Sequence, residues 1–136
     1  MVFSRLNHQV FGGPAGHGVS GDQTHIIFRA PQTGEVVQLA VGRNGLGATT
    51  IDTTNYFKLI AYDGGAKGTG TAVIASRGGK STSWTAQQAY NILTEGASPY
   101  KLDKGDYLTL KHDETGTVVT TPFVLGSFII GLQDAP

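Results

Sequence analysis

Hydrophobic and polar residues alternate in short runs along most of this chain. Such alternation is typical of β-strands that bury one face. In one run Val37, Leu39 and Val41 fall on the same face, which predicts that they point into a core. The run 106–112 alternates in the same way, with Leu108, Leu110 and His112 on one face and Tyr107, Thr109 and Lys111 on the other.

Turn sequences separate these runs, and Asp63-Gly64-Gly65 is the strongest of them. The segment Trp84–Leu93 fits both helical and strand spacing, and we favour a strand because its neighbours are strands. No strand–helix alternation repeats along the chain, so the pattern predicts an all-β, antiparallel β-sandwich of about eight strands over residues 23–136. The other predicted strands are 25–29, 35–41, 54–62, 71–76, 106–112, 117–120 and 123–132.

Residues 1–22 differ from the rest because glycine and proline dominate the stretch GGPAGHGVSGD. Glycine loses much backbone entropy when it is ordered, so we predict an extended N-terminal arm outside the sandwich. One interpretation is a disordered terminus. The other is an arm that orders against a partner through its apolar residues. These anchor residues are Val2, Phe3, Leu6, Val10 and Phe11.

Charge and composition argue against nucleic-acid binding, membrane association and cysteine chemistry. Only 15% of the 136 residues are charged, with 10 Lys and Arg against 10 Asp and Glu. A neutral chain lacks the clustered cations that nucleic-acid binding needs, so we expect no nucleic-acid partner. No apolar run reaches 18 residues, so we expect no membrane partner. The absence of cysteine excludes disulfides, cysteine-based zinc sites and a thiol nucleophile.

Motifs for chemistry are weak. The segment Ser76–Thr82 resembles the end of a phosphate-binding P-loop, but Ile74 stands where that motif needs glycine and the flanks are β-like. We therefore interpret it as a solvated loop. Asp103 and Asp106 could adjoin a sugar or Ca²⁺ site, but we expect them to brace a turn.

The histidines are also scattered, without the spacing of a shared metal face. They are His8, His17, His25 and His112. We expect His112, beside Asp113 and Glu114, to lie at the edge of a turn in water. We therefore predict no catalytic residue, no metal and no cofactor.

Several turn and strand-edge segments resemble a known family when taken in order. They are Phe28-Arg29-Ala30-Pro31, Leu46-Gly47-Ala48 followed by Thr54-Asn55-Tyr56, Asp63–Ser76 and Leu102–Leu108. Over residues 24–112 this order resembles the small β-sandwich structural proteins of tailed bacteriophages, of the capsid decoration (cement) type.

The resemblance implies a jelly-roll-like sandwich that acts as a homotrimer on the capsid exterior. Its partner would be the major capsid protein, and it would stabilise the shell by bridging capsomers, without catalytic site or cofactor. The expected location is the virion, after synthesis in the host cytoplasm. A tail-associated component and a receptor- or glycan-binding virion module remain alternatives, the latter because exposed aromatic residues could stack on sugar rings.

Overall fold

A computed structural model of the chain describes residues 8–14, 22–44, 51–93, 99–118 and 121–130. Within these ranges every regular element is a β-strand, and every strand pair is antiparallel. The nine strands are β1 (His8–Pro14), β2 (Gln23–Arg29), β3 (Gly34–Asn44), β4 (Tyr56–Gly65), β5 (Ala72–Gly78), β6 (Tyr90–Leu93), β7 (Tyr100–Leu102), β8 (Tyr107–Thr115) and β9 (Thr121–Ile130).

The strands form two sheets. In the five-stranded sheet the order is β1-β9-β3, and β6 and β7 pair with successive parts of the far edge of β3. In the four-stranded sheet the order is β2-β8-β4-β5. Side chains from the inner faces of both sheets meet in one core, so the predicted all-β sandwich is confirmed.

Large apolar side chains from both sheets build this core. Leu39 and Phe128 come from the five-stranded sheet, whereas Phe57 and Leu110 come from the four-stranded sheet, and none is more than 1% exposed. The ring of Phe28 on β2 lies 5.1 Å, centroid to centroid, from that of Phe128 and joins the two sheets. Burial of one such side chain contributes about 1.5–3 kcal/mol, so these contacts hold the sheets together.

The N-terminal arm predicted over residues 1–22 is wrong for its central part. All seven residues of β1, His8–Pro14, pair with β9, so this segment is an edge strand of the five-stranded sheet. Residues 1–7 and 15–21 lie outside the described residues. Ordering the glycines costs backbone entropy, and the hydrogen bonds and packing that β1 gains by pairing with β9 offset this cost.

A close fit at Phe11 shows why β1 joins the sheet. Its ring lies over Gly126 of β9, where an added Cβ would come within 2.4 Å of the Phe11 Cζ atom. The same ring stacks on Phe28 of the opposite sheet, with centroids 4.7 Å apart. Because β9 carries a glycine at this position, the half-buried phenylalanine can reach the core.

A register shift in β3 corrects the predicted core face. The shift between Val36 and Gln38 in the pairing with β9 leaves Val37 as an extra residue. Val36 is consequently fully buried beside Leu39 and Val41, while Val37 lines the opposite face of the sheet. One inserted residue moves a side chain to the other face because the side-chain period of a strand is two.

The predicted strand over 84–93 is present only at its end, as β6. Before β6 the chain turns, with the Gln88 N–H donating to the Thr85 carbonyl at 3.3 Å and Gln87 at a φ of 64°. The tryptophan that opens the segment is 5% exposed. The chain must leave the sheet plane to bury this ring, so strand pairing starts only at Tyr90.

The predicted strand over 117–120 is absent in its described part, and the ends of the other predicted strands differ from those observed, mostly by one to three residues. Thr117 and Val118 lie outside any strand, and Val118 is 2% exposed and belongs to the core. The remainder of that predicted strand, residues 119 and 120, lies outside the described residues. The next strand, β9, begins at Thr121 rather than Phe123.

Candidate docking surface

The two described anchor residues of the predicted arm point in opposite directions. Phe11 packs inside the molecule on Phe28, whereas Val10 is 80% exposed. Of the described anchors, only Val10 is thus presented to a partner. The other three predicted anchors lie outside the described residues: Val2, Phe3 and Leu6.

Val10 stands at the rim of a shallow groove on the outer face of the five-stranded sheet. The groove encloses about 750 Å³ and runs across β1, β9 and β3 towards β6. We call it the sheet groove. The larger apolar residues and alanines that line it are Val10, Phe11, Val37, Ala40, Ala89, Leu125 and Ile129.

Small residues on both sides of Leu125 create the concave shape. In the ladder Gly12 of β1 and Ala40 of β3 both lie opposite Leu125 of β9. The Leu125 side chain lies across the glycine, where an added Cβ would be only 2.7 Å from its Cδ2 atom. Leu125 therefore fills the middle of the groove and remains 49% exposed.

The lining of the sheet groove carries no Asp, Glu, Lys or Arg. Its polar groups belong to His8, Gln38, Asn91 and Ser127. Ser127 is 5% exposed and lies at the floor. An apolar partner can cover such a surface without desolvating an unpaired charge, which would be costly. The groove is therefore suited to an uncharged, apolar macromolecular surface.

The sequence contained a signal for this face that the strand prediction did not use. Along β9 the apolar residues are adjacent, as in Val124-Leu125 and Phe128-Ile129, instead of alternating with polar ones. A strand with one solvated face alternates, whereas a strand covered on both faces reads as a continuous apolar run. Val124 and Phe128 are fully buried, so Leu125 and Ile129 form the second apolar face.

The histidines do not form a site in the described part of the chain. His8, His25 and His112 lie on β1, β2 and β8, and the His112 ring stacks 5.2 Å from the Phe57 ring in the core. No group of three or more His, Asp or Glu side chains among the described residues could hold a metal ion. The fourth histidine, His17, lies outside the described residues.

Asp103 and Asp106, in the turn between β7 and β8, make different contacts. The Asp106 carboxylate accepts the Asp103 backbone N–H at 3.2 Å, which confirms its predicted role in bracing the turn. The side chain of Asp103 instead lies 3.8 Å from the Lys101 Nζ atom in an exposed ion pair. The backbone N–H of Lys104 donates to the Thr33 hydroxyl at 3.1 Å and ties this turn to the loop before β3.

The aromatic residues around Trp84 form a packed cluster instead of an exposed row. The Trp84 ring stacks on Phe57, with centroids 4.8 Å apart, and meets Tyr90 edge-on at 5.4 Å. The Arg77 guanidinium covers the Tyr90 ring, 3.8 Å from its centre. Hydrogen bonding from Thr85 lowers the pKa of Tyr90, and the Arg77 charge lowers it further. This cluster closes one end of the sandwich.

Comparisons with known proteins add no partner. No protein-family model matches the chain, and a search of curated proteins found no match. None of the described residues belongs to a helix long and apolar enough to span a membrane.

Proposed function

We propose that this protein is a virion structural protein that decorates the outside of a tailed-phage capsid. In this proposal the sheet groove docks on the major capsid protein. The observation that carries the proposal is the groove around Val10 and Leu125, where two exposed large hydrophobic side chains share a lining without charged residues. The resemblance of segments in residues 24–112 supplies the class of partner.

The mechanism is stabilisation by binding. A protein that binds only the assembled shell shifts the assembly equilibrium by mass action, without any chemical step. A standard interface takes about 800 Å² from each partner, about a tenth of the 7447 Å² accessible surface of this chain.

Several copies acting together strengthen such a contact. The sheets end in edge strands, β1 in one sheet and β2 and β5 in the other, and unpaired edges favour association. A homotrimer in this proposal presents three sheet grooves to the shell at once. The second and third contacts then form at a high effective concentration, so modest individual affinities suffice.

The test places a charge in the sheet groove. Val10→Asp and Leu125→Asp each bury an unpaired carboxylate on docking, and we expect at least about tenfold weaker binding from each. The measurement is co-sedimentation with shells assembled from the major capsid protein encoded in the same genome. Circular dichroism checks that each variant remains folded.

Matched controls come from the four-stranded sheet. Ile26 and Val73 are 58% and 57% exposed, so Ile26→Asp and Val73→Asp add the same charge at comparably exposed apolar positions. We expect both to bind like the parent protein. Equal losses in all four variants, or no binding of the parent protein to shells, would overturn the proposal. Binding to purified tails alone would favour the tail-associated alternative.

A further inference from the structure

A second depression lies on the outer face of the four-stranded sheet, on the opposite side of the molecule from the sheet groove. It encloses about 400 Å³ where β4 begins and where β5 and β8 end. We call it the lysine pocket. Its side chains are Tyr56, Lys58, Lys80, Asp113 and Thr115, and the backbone of Gly78-Gly79 forms one wall.

The strand register brings these side chains together. Lys58 of β4 lies between Asp113 of β8 and Gly78 of β5, and Tyr56 lies opposite Thr115 in the neighbouring row. Residues paired in an antiparallel ladder project from the same face, so Tyr56, Lys58, Asp113 and Thr115 share one surface. Lys80 joins them from the turn that follows β5. The pocket is therefore a product of the sheet itself and not of a loop alone.

Two consecutive glycines keep the pocket open. An added Cβ at Gly78 would come within 2.3 Å of the Phe57 carbonyl oxygen, so no side chain fits there. At Gly79, with a φ of +129°, the nearest atom to an added Cβ would be the Lys58 Cε atom at 3.9 Å. A ligand can therefore approach the backbone closely at this wall.

A tight turn holds Lys80 in place. The Thr82 N–H donates to the Gly79 carbonyl at 3.3 Å, and Ser81 has a positive φ of 58°. The Ser81 N–H also donates to the Asp52 carbonyl at 3.3 Å. The backbone on both sides of Lys80 is thus anchored, which directs its side chain towards the pocket that it lines.

The charges of the pocket are unbalanced. Two lysines face one carboxylate, that of Asp113. Among the described residues, ion pairs within 4.0 Å join only Lys101 to Asp103 and Lys111 to Asp22. Neither pocket lysine is paired with a described carboxylate. The charged residues of the lining thus sum to one positive charge, which attracts anions, and lysine binds phosphate groups as a point charge.

We propose that the lysine pocket binds a phosphorylated sugar. Lys58 and Lys80 contact the phosphate oxygens, the Asp113 carboxylate accepts hydrogen bonds from sugar hydroxyls, and the Tyr56 ring provides a face for the sugar. Lys80 belongs to the P-loop-like segment, but no helix follows it among the described residues, so the helix N-terminus of a nucleotide site is lacking. The features present suit a single phosphate on a polyhydroxylated group.

The test is a nuclear magnetic resonance titration of the ¹⁵N-labelled protein with glucose 6-phosphate. We expect saturable shifts at the pocket residues with a dissociation constant of about 1 mM. Glucose and inorganic phosphate, each lacking half of the contacts, should bind at least about tenfold more weakly. The double variant Lys58→Ala/Lys80→Ala should weaken glucose 6-phosphate binding at least about tenfold.

A matched control removes two lysines elsewhere. Lys67 and Lys104 are exposed and lie outside the pocket, so Lys67→Ala/Lys104→Ala changes the net charge equally and should leave binding unchanged. Equal weakening in both double variants would show non-specific attraction and overturn the proposal. So would the absence of saturable shifts up to about 20 mM, or equal affinity for inorganic phosphate. None of these results bears on capsid docking, which Val10 and Leu125 test separately.

Discussion

At the scale of single residues, one hydrogen bond links the two sheets. The hydroxyl of Tyr100 on β7 donates to the Asp63 Oδ2 atom on β4 at 3.0 Å. The Oδ1 atom of the same carboxylate accepts the Gly65 N–H at 2.9 Å. Burial raises the pKa of Tyr100, and the hydrogen bond to Asp63 raises it further.

Replacing Tyr100 with phenylalanine tests this link. At pH 7 we expect Tyr100→Phe to lower the free energy of unfolding by about 1 kcal/mol, because a hydrogen bond is lost while the ring is kept. A raised pKa in the folded state means that the contribution is complete below the unfolded pKa, near 10.0, and is lost as the pH rises through the folded pKa. Thermal melts from pH 7 to 11 should therefore show the parent and the variant converging above pH 10.

Tyr62→Phe is the control for this experiment. Its hydroxyl has no hydrogen-bond partner among the described residues, so the loss at pH 7 should stay within about 0.5 kcal/mol. A difference between parent and Tyr100→Phe that stays constant or widens above pH 10 would contradict the assignment.

At the scale of elements, β1 is the strand whose role was misjudged from the sequence. Deleting residues 1–14 removes β1 and with it the Phe11–Phe28 stack. We expect this deletion to cost about 2–5 kcal/mol of unfolding free energy, the range for loss of a large core side chain. Deleting residues 1–7 removes none of the described strand pairs and should cost less than about 0.5 kcal/mol.

Urea unfolding monitored by circular dichroism distinguishes these two deletions. Phe11→Ala in the full chain is a second variant, and it should reproduce most of the loss caused by deleting residues 1–14. Equal stability of the two deletion variants would show that β1 contributes nothing to the sandwich. The two deletions also separate the contribution of residues 1–7 to docking from that of Val10. Deleting residues 1–7 leaves Val10 in place, whereas deleting residues 1–14 removes it.

At the scale of the whole molecule, the single core predicts how the protein unfolds. Phe57 and Phe128 come from different sheets but belong to one buried cluster, and Trp84 is part of it. Neither sheet can retain a core when the other leaves, so we expect one cooperative transition. Fluorescence of the single tryptophan and far-UV circular dichroism should give the same midpoint in urea.

Measuring the transition at two protein concentrations controls for subunit dissociation. Unfolding that is coupled to the dissociation of an oligomer depends on concentration, whereas unfolding of the sandwich within one chain does not. Midpoints that differ between the two probes at both concentrations would contradict a single cooperative core.

The strands with regular alternation were predictable. The run 106–112 became β8, and Leu108 and Leu110 are buried as their spacing indicated. The expectation that His112 lies at a turn edge in water is wrong, because β8 continues past it to Thr115 and the residue is 1% exposed. The run 54–62 corresponds to β4, but this strand begins at Tyr56 and continues through the predicted turn Asp63-Gly64-Gly65, so the chain turns at residues 66–68 instead.

Alternation gave the wrong structure at three places. The Trp84 ring is buried before β6 begins, Val37 is an extra residue in β3, and the glycine-rich segment of β1 forms a strand because it pairs with β9.

For the two candidate sites, too, the sequence indicated some residues, and strand pairing decided which others lie beside them. Val10 was singled out from its apolar character, but its neighbour Leu125 was predicted only as part of a core strand. Lys80 belongs to the segment that resembles the end of a P-loop, which the sequence indicates to be a solvated loop. Its place beside Lys58 in the lysine pocket depends on the pairing of β4 with β5. Linear spacing cannot show which faces of distant strands adjoin each other.

Local alternation and turn residues thus specified the all-β class and most strand positions, because the geometry of a strand depends on its own side chains and immediate neighbours. The folded chain settled the membership of β1, the side on which Val37 lies and the composition of both surface depressions. These depend on pairings between segments far apart in the chain, such as His8 with Ile129. Such pairings are chosen by the shared burial and hydrogen bonding of two partners, and neither partner's sequence contains that information alone.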